Sequence, residues 1–227
     1  METAEQLKKY LDLGFDVAGV DLPDGDGVLV LPGLPFDQII VRLTLPGGKA
    51  TGILDRNFED PARYHPVDED VPRDRPYLIS GFESGTEYLN VPPRDAVPAI
   101  RDRGRLPITI EEGLAAFIAD PEVLQRNACF SLAGSTRGDK RVPALWISGK
   151  APKLGWCFAG APHTWPGTAS LAARGDADAD LMHRTLEARR QILGLLPLVD
   201  HAAVVGAAVQ DGGVRRVDLA FQRLQPV

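Results

Sequence analysis

The sequence predicts an α+β domain with a mixed or mainly antiparallel sheet flanked by helices. Three observations carry that expectation. Helix and strand signals are interspersed without the regular strand–helix–strand alternation that a doubly wound sheet requires. Turn signals such as Pro46-Gly47-Gly48 and Asp211-Gly212-Gly213 punctuate short β-rich runs, as hairpins do. A content of 44% hydrophobic and 25% charged residues over 227 positions supports a sizeable core and not a disordered chain.

Taken in order, residues 3–13 carry Leu7, Tyr10 and Leu11 at helical spacing, with Thr3 placed to cap the helix and Gly14 to end it. Residues 21–27 are turn chemistry. Strands are expected at 28–31, 38–45 and 50–54; in the second, Ile39, Val41, Leu43 and Leu45 alternate toward Pro46-Gly47-Gly48. Residues 57–75 are acidic and Pro-rich and read as a connector, because proline cannot serve a central strand. Further strands are expected at 77–81 and 87–90. Pro92-Pro93 opens a helix that Gly104 ends. Thr109 is the N-cap of a helix over 110–119, whose Leu114, Ala115, Phe117 and Ile118 fall on helical spacing. Pro121 starts a short helix through Arg126. Strands follow at 129–132, 142–148 and 155–159, then a small-residue linker, a helix over 178–195 and a hairpin over 203–219. The whole is expected as one domain with a β-rich part to residue 75, a central part over 76–171 and a C-terminal part over 172–227.

The 25 Lys and Arg against 31 Asp and Glu leave a formal net charge of −6, which argues against a broad phosphate-binding face and against nucleic acid as a partner. Arg137, Lys140, Arg141, Lys150 and Lys153 lie close in sequence and read best as a solvated basic loop. No apolar run nears the ~20 residues that span a bilayer, and residues 1–10 hold no signal-peptide core. A cytoplasmic protein with no membrane partner is therefore expected. Two cysteines in so long a chain make no disulfide framework and are expected as reduced thiols. No cofactor is indicated, and a homodimer is compatible with the sequence.

The most informative stretch is 125–167, which holds all three Trp, both Cys and His163. Aromatic residues are only 7% of the chain, so this crowding calls for a packing or binding reason. The runs LNVPPRDAVPAIRDRGRLPITIEEG (89–113) and CFSLAGSTRGDKRVPALWISGKAPKLGWCFAGAPHTWPG (129–167) carry a resemblance to a bacterial family, domain of unknown function 5701, over residues 86–167. The resemblance implies a shared fold and no assigned activity. Relatives often carry additional Cys near the positions of Arg137 and Leu171, which with Cys129 and Cys157 would make a four-thiolate zinc set. Only two thiols remain here, short of that set.

Several candidate chemistries follow from the crowded stretch. Cys157 and His163 could pair as nucleophile and base, which requires a thiol whose pKa is lowered by its neighbour; the plainer reading is a buried small hydrophobe between Trp156 and Phe158. Cys129, Cys157 and His163 could offer three ligands to an open zinc site, although no tight CxxC or HxxxH spacing is present. Residues 134–141, GSTRGDKR, could cradle an anion, with Lys140 and Arg141 neutralising charge. The favoured reading of that loop is a turn in which Asp139 pairs with a neighbouring base. Trp146, Trp156 and Trp165 could wall a pocket, or two could be core and one a lid. If Leu145 points inward, Trp146 faces the other side of the sheet.

The leading expectation is a small-molecule enzyme with a concave polar and aromatic site at the strand ends of 129–167. Cys157, His163 and Asp139 are its catalytic candidates; Lys140, Arg141, Trp146, Trp156 and Trp165 its substrate-binding ones. The alternative is a non-catalytic module that grips a peptide or protein on a Trp-lined surface. Shape separates the two, since an enzyme needs a deep pocket with convergent polar groups and a module a flatter apolar patch.

Overall fold

The computed structural model describes residues 1–175, which form an α+β fold. Four α-helices are present among them: α1 (Thr3–Asp12), α2 (Phe36–Ile40), α3 (Pro93–Asp102) and α4 (Ile110–Ala119). The first strands are β1 (Val28–Val30), β2 (Ile53–Leu54), β3 (His65–Pro66), β4 (Tyr77–Ser80) and β5 (Leu106–Pro107). They are followed by β6 (Cys129–Ser131), β7 (Ser135–Thr136), β8 (Arg141–Ser148) and β9 (Ala151–Phe158). The last are β10 (Pro166–Thr168), β11 (Ser170–Leu171) and β12 (Ala173–Arg174).

The main sheet is mixed. Its five strands run in the order β10-β6-β8-β9-β2, antiparallel at the centre and parallel at both outer pairings. Its centre is the β8–β9 hairpin, closed by Gly149 and Lys150 with φ of +59° and +66°. Positive φ at both central residues matches the tight turn that suits twisted strands. An antiparallel sheet β1-β4-β12 and the pairs β11-β5 and β3-β7 complete the strand framework.

Between these sheets lies α4. Its burial runs from Glu112 to Ala119 without a solvent face, as expected of a helix that is hydrophobic all round. It packs on β1, α1 and α2. The Thr109 cap forms: its side chain accepts from the Glu112 N–H at 3.2 Å, and Glu112 Oε2 accepts from the Thr109 N–H at 2.7 Å. At the other end, Lys9 from α1 donates to the carbonyls of Ile118 and Ala119, where a cation complements the helix dipole. Leu145 and Leu154, opposite each other on β8 and β9, join Phe130, Leu132 and Leu114 in the fully buried centre.

Several elements differ from the sequence expectation. Residues 36–40 form a helix, not part of a strand over 38–45. Ile39, Ile40 and Leu43 are buried and Val41 is exposed, a helical pattern; the alternation that suggested a strand would have put Ile39 and Val41 on one face. The turn at 46–48 does form, closed by a Thr44–Thr51 bridge. Residues 86–88 form a 3₁₀ turn, with Tyr88 packed on Ala96 and Ile100 of α3. Thr3 lies inside α1 and makes no cap; Glu2 occupies the N-cap. The helix at Pro121 is a 3₁₀ turn ending at Val123. The stretch expected as a small-residue linker after Gly167 is instead the end of β10, then β11 and β12; Thr168, Ala169 and Ser170 are small enough to thread buried between neighbours, and β12 is half-buried. The helix and hairpin expected at 178–195 and 203–219 lie outside the described residues. Among the described residues no helix is long and apolar enough to cross a membrane.

Candidate functional site

The pleat of the β8–β9 hairpin decides where the expected site residues go. Successive side chains alternate between faces, and residues opposite each other across the ladder share one. Register therefore puts Arg141, Pro143 and Leu145 with Leu154, Trp156 and Phe158 on one face. It puts Val142, Ala144 and Trp146 with Lys153, Gly155 and Cys157 on the other. The eight candidates do not converge on one point.

On the first face the Arg141 guanidinium carbon lies 5.2 Å from the Trp156 ring centre, a cation–π distance. Trp156 Nε1 donates to the Asn57 carbonyl at 2.9 Å, and Phe158 is tilted against Trp156 at 6.0 Å. Asp139 sits in the turn before β8. Its Oδ1 accepts from the Arg141 N–H at 2.8 Å, and its Oδ2 lies 3.3 Å from Arg137 Nε and 3.6 Å from Arg141 Nε. Asp139 thus pairs with neighbouring bases and organises its own turn. Arg137 is a correction to the reading of a solvated basic loop. Its side chain is 6% exposed, donates to the Glu59 carbonyl and lies over Tyr64. Lys140 is exposed, its backbone carbonyl accepting from Ala159.

On the second face Trp146 lies across Gly155, where an added Cβ would collide with its indole. Trp165, 39% exposed, meets Trp146 edge-on at 5.6 Å, and His163 is tilted against Trp165 at 6.0 Å. Lys153 Nζ is 5.5 Å from the Trp146 ring and 2.7 Å from Asp55 Oδ2. That hydrogen bond holds the Asp55 carboxyl below its ordinary range despite its burial.

Cys157 is buried on this second face, and its thiol makes no hydrogen bond with His163. Burial pushes the thiol up to about 12, opposite to what a nucleophile needs. The expected Cys157–His163 pair is therefore not formed; His163 Nε2 is buried without a partner. Cys129, whose thiol burial also raises, donates to the Gln125 and Arg126 carbonyls. Register places it beside Trp146, two strands across and four residues along from Cys157, roughly 15 Å away and beyond disulfide reach. Among the described residues no three His, Cys, Asp or Glu side chains group to hold a metal, so Cys129, Cys157 and His163 do not form a ligand set.

Two of the candidates, Asp139 and Arg141, line a cleft of about 310 Å³ between α3 and the β7–β8 segment. Val67, Val97, Ala133 and Val142 give it an apolar floor, and Arg94 of α3 stands on its rim. Arg94 is loosely paired with its exposed neighbour Asp95 at 3.4 Å, and its backbone N–H donates to Ala159. Nothing local in the sequence marked Arg94, which the fold brings to the 139–142 segment from about 45 residues away.

A family description, family of unknown function (DUF5701), matches residues 3–177. The chain belongs to this family. The DUF5701 match reaches well beyond the 86–167 segment on which the resemblance was read and takes in α1 and the N-terminal strands. No curated protein and no solved structure matches the chain.

Within the DUF5701 span lies a buried ionic network that the sequence did not disclose. Glu112, fully buried, accepts from Arg174 Nε and Nη2 and from the Tyr77 hydroxyl at 3.2 Å. Arg174 also donates to the Pro107 carbonyl and meets Asp68 at 3.4 Å, and Asp68 pairs in turn with Arg101. Burial opposes the charge on Arg174, but Glu112 more than compensates and its pKa lies above the ordinary value. Burial, with the Glu112 charge beside it, raises the Tyr77 phenol. Every partner is occupied, so the network ties β12, β4 and β5 to the start of α4 and leaves no group free for chemistry.

Proposed function

We propose that this protein binds a small anionic molecule with an apolar body in the cleft between α3 and β8. The observation that carries the reading is the pairing of an apolar floor with two guanidinium groups, Arg94 and Arg141, from separate elements. A volume of about 310 Å³ is at the lower end of small-ligand sites. The ion pairs of both arginines are loose: Asp95 at 3.4 Å from Arg94, and Asp139 and Glu59 at 3.6 and 4.0 Å from Arg141, whose guanidinium also lies over Trp156. Such exposed pairs are worth little, so an incoming carboxylate or phosphate displaces them at small cost. The role is binding and not Cys157 chemistry, because the thiol is buried, held protonated, and not itself part of the cleft lining.

The test is a thermal-shift and calorimetric titration of the full chain with benzoate, its neutral analogue benzyl alcohol, and inorganic phosphate. Benzoate is expected to bind saturably and the alcohol not. Arg141→Ala and Arg94→Ala should each weaken benzoate about tenfold, the ~1.4 kcal/mol of one charge-assisted contact. Benzoate binding that both variants leave unchanged, or no binding by either anion, would overturn the reading.

A second reading, a peptide partner on the Trp face, is favoured by Trp165, whose exposed ring continues the Trp146 stack with His163 alongside. It predicts that Trp165→Ala abolishes partner capture while benzoate affinity stays unchanged.

A further inference from the structure

The turn that follows β9 also shapes the α3–β8 cleft. Ala159 lies on the cleft lining, and its carbonyl accepts from the Arg94 N–H at 3.0 Å. Further along the turn, the His163 carbonyl accepts from the Asn90 N–H at 2.7 Å. These two bonds tie residues 90–94, the entry to α3, along residues 159–163. The first also satisfies one of the N–H groups that a helix start leaves unpaired. The base of the Arg94 side chain is thereby fixed beside Gly160.

Nothing in the backbone of residue 160 demands a glycine, because Gly160 does not take the positive φ that other side chains avoid. Neighbouring main chain does not demand it either. Gly52, Gly134 and Gly167 are each pressed against backbone of another segment, so the fold itself requires them bare. At Gly160 the three atoms nearest to where a Cβ would stand all belong to Arg94: Nη1 at 3.0 Å, Cζ at 3.5 Å and Cδ at 3.9 Å. The outer half of the Arg94 side chain therefore lies along the bare face of Gly160. Its ion pair with Asp95 joins two side chains that are 65% and 55% exposed, and such a pair restrains little. A long side chain left free loses rotamer freedom when it grips a ligand, whereas one already laid in place has less to lose.

Resting on the reading of this cleft as an anion site, we infer that Gly160 is its positioning residue. The missing side chain leaves the shelf on which the Arg94 guanidinium lies, and that placement presents Arg94 to the same anion as Arg141.

The experiment measures benzoate affinity by calorimetry and Tm by thermal scan for the full chain, for Gly160→Ala and for Gly160→Val. A carbon 3.0 Å from Nη1 is closer than ordinary contact, so Arg94 must give way. As the exposed end of a flexible side chain it can do so without disturbing the core. Gly160→Ala should weaken benzoate about threefold and Gly160→Val about tenfold, the second matching Arg94→Ala. The Tm of Gly160→Ala should hold or rise, because alanine restricts the unfolded chain at a site whose φ permits it. Added to Arg94→Ala, the Gly160→Ala change should cost no further affinity. Benzoate binding that Arg94→Ala weakens and both Gly160 variants leave intact would overturn this inference while the anion cleft stands. No benzoate binding by the unaltered chain would remove both. A lowered Tm for Gly160→Ala, or an equal loss of affinity with Arg94 already removed, would make Gly160 a residue of the fold and overturn the inference as well.

Discussion

Arg174→Met is the sharpest test of what holds this fold together. The substitution keeps the length and apolar stem of the side chain and removes the guanidinium. Glu112, fully buried, then loses two of its donors and keeps only the Thr109 N–H and the Tyr77 hydroxyl. The Pro107 carbonyl loses its donor as well. Removing one member of a buried pair costs about 3–5 kcal/mol, because the other charge stays uncompensated. That is a large share of the ~5–15 kcal/mol that folded domains possess. With a urea slope of ~2–3 kcal/mol/M, the midpoint should fall by about 1–2 M. Glu112→Gln keeps shape and an acceptor for the Thr109 N–H, so Glu112→Gln/Arg174→Met should lose less than the sum of the single variants. The double-mutant cycle should show coupling of about 2 kcal/mol or more. A loss below about 1 kcal/mol for Arg174→Met, or strict additivity, would refute the reasoning and make the network incidental.

Two further predictions concern ionisable groups. With its thiol pushed up to about 12, Cys157 should react with Ellman's reagent at pH 8 at least about a hundredfold more slowly in the native protein than in urea. The stability gained by burying that neutral thiol is complete below the ordinary thiol value and fades as pH rises beyond it; rapid native labelling would contradict the burial. For Asp55, whose carboxyl the Lys153 hydrogen bond holds low, the contribution is present above the ordinary carboxyl value and is lost as pH falls through the lowered one. Lys153→Met should therefore cost about 1 kcal/mol at pH 7 and nothing once Asp55 is protonated, so parallel acid-unfolding curves would exclude the pair as the cause.

Where local chemistry settles an element, the sequence was legible. Thr109 with Glu112 three residues on, Pro92-Pro93 at the start of α3 and Gly104 after it each act within one turn, by a capping box, by a first-turn proline with no N–H to satisfy and by a positive-φ glycine, and each appears in the structure. Residues 38–45 failed because Ile39, Val41 and Leu43 fit an alternating pattern as well as a helical one, and only burial of Ile40 against the core decides between them. Residues 166–174 failed for the opposite reason. Small residues carry little periodic signal, yet here Gly167, Thr168, Ala169 and Ser170 run as buried backbone, β10 beside α3, before the half-buried β12.

The candidate site shows the same limit more plainly. Residues 129–167 were grouped because they are neighbours along the chain, and a β-hairpin turns chain neighbours into opposite faces. Trp146 and Trp156 are both half-buried aromatics on the same hairpin, but register sends one toward Trp165 and the other toward Arg141. Arg141 shares its cleft with chain neighbours such as Asp139 and Val142, but also with Pro93, Arg94, Val97 and Pro98 of α3. That second contribution is a product of tertiary packing. Glu112 makes the point as well, a capping acid by sequence and the buried partner of Arg174 in the structure.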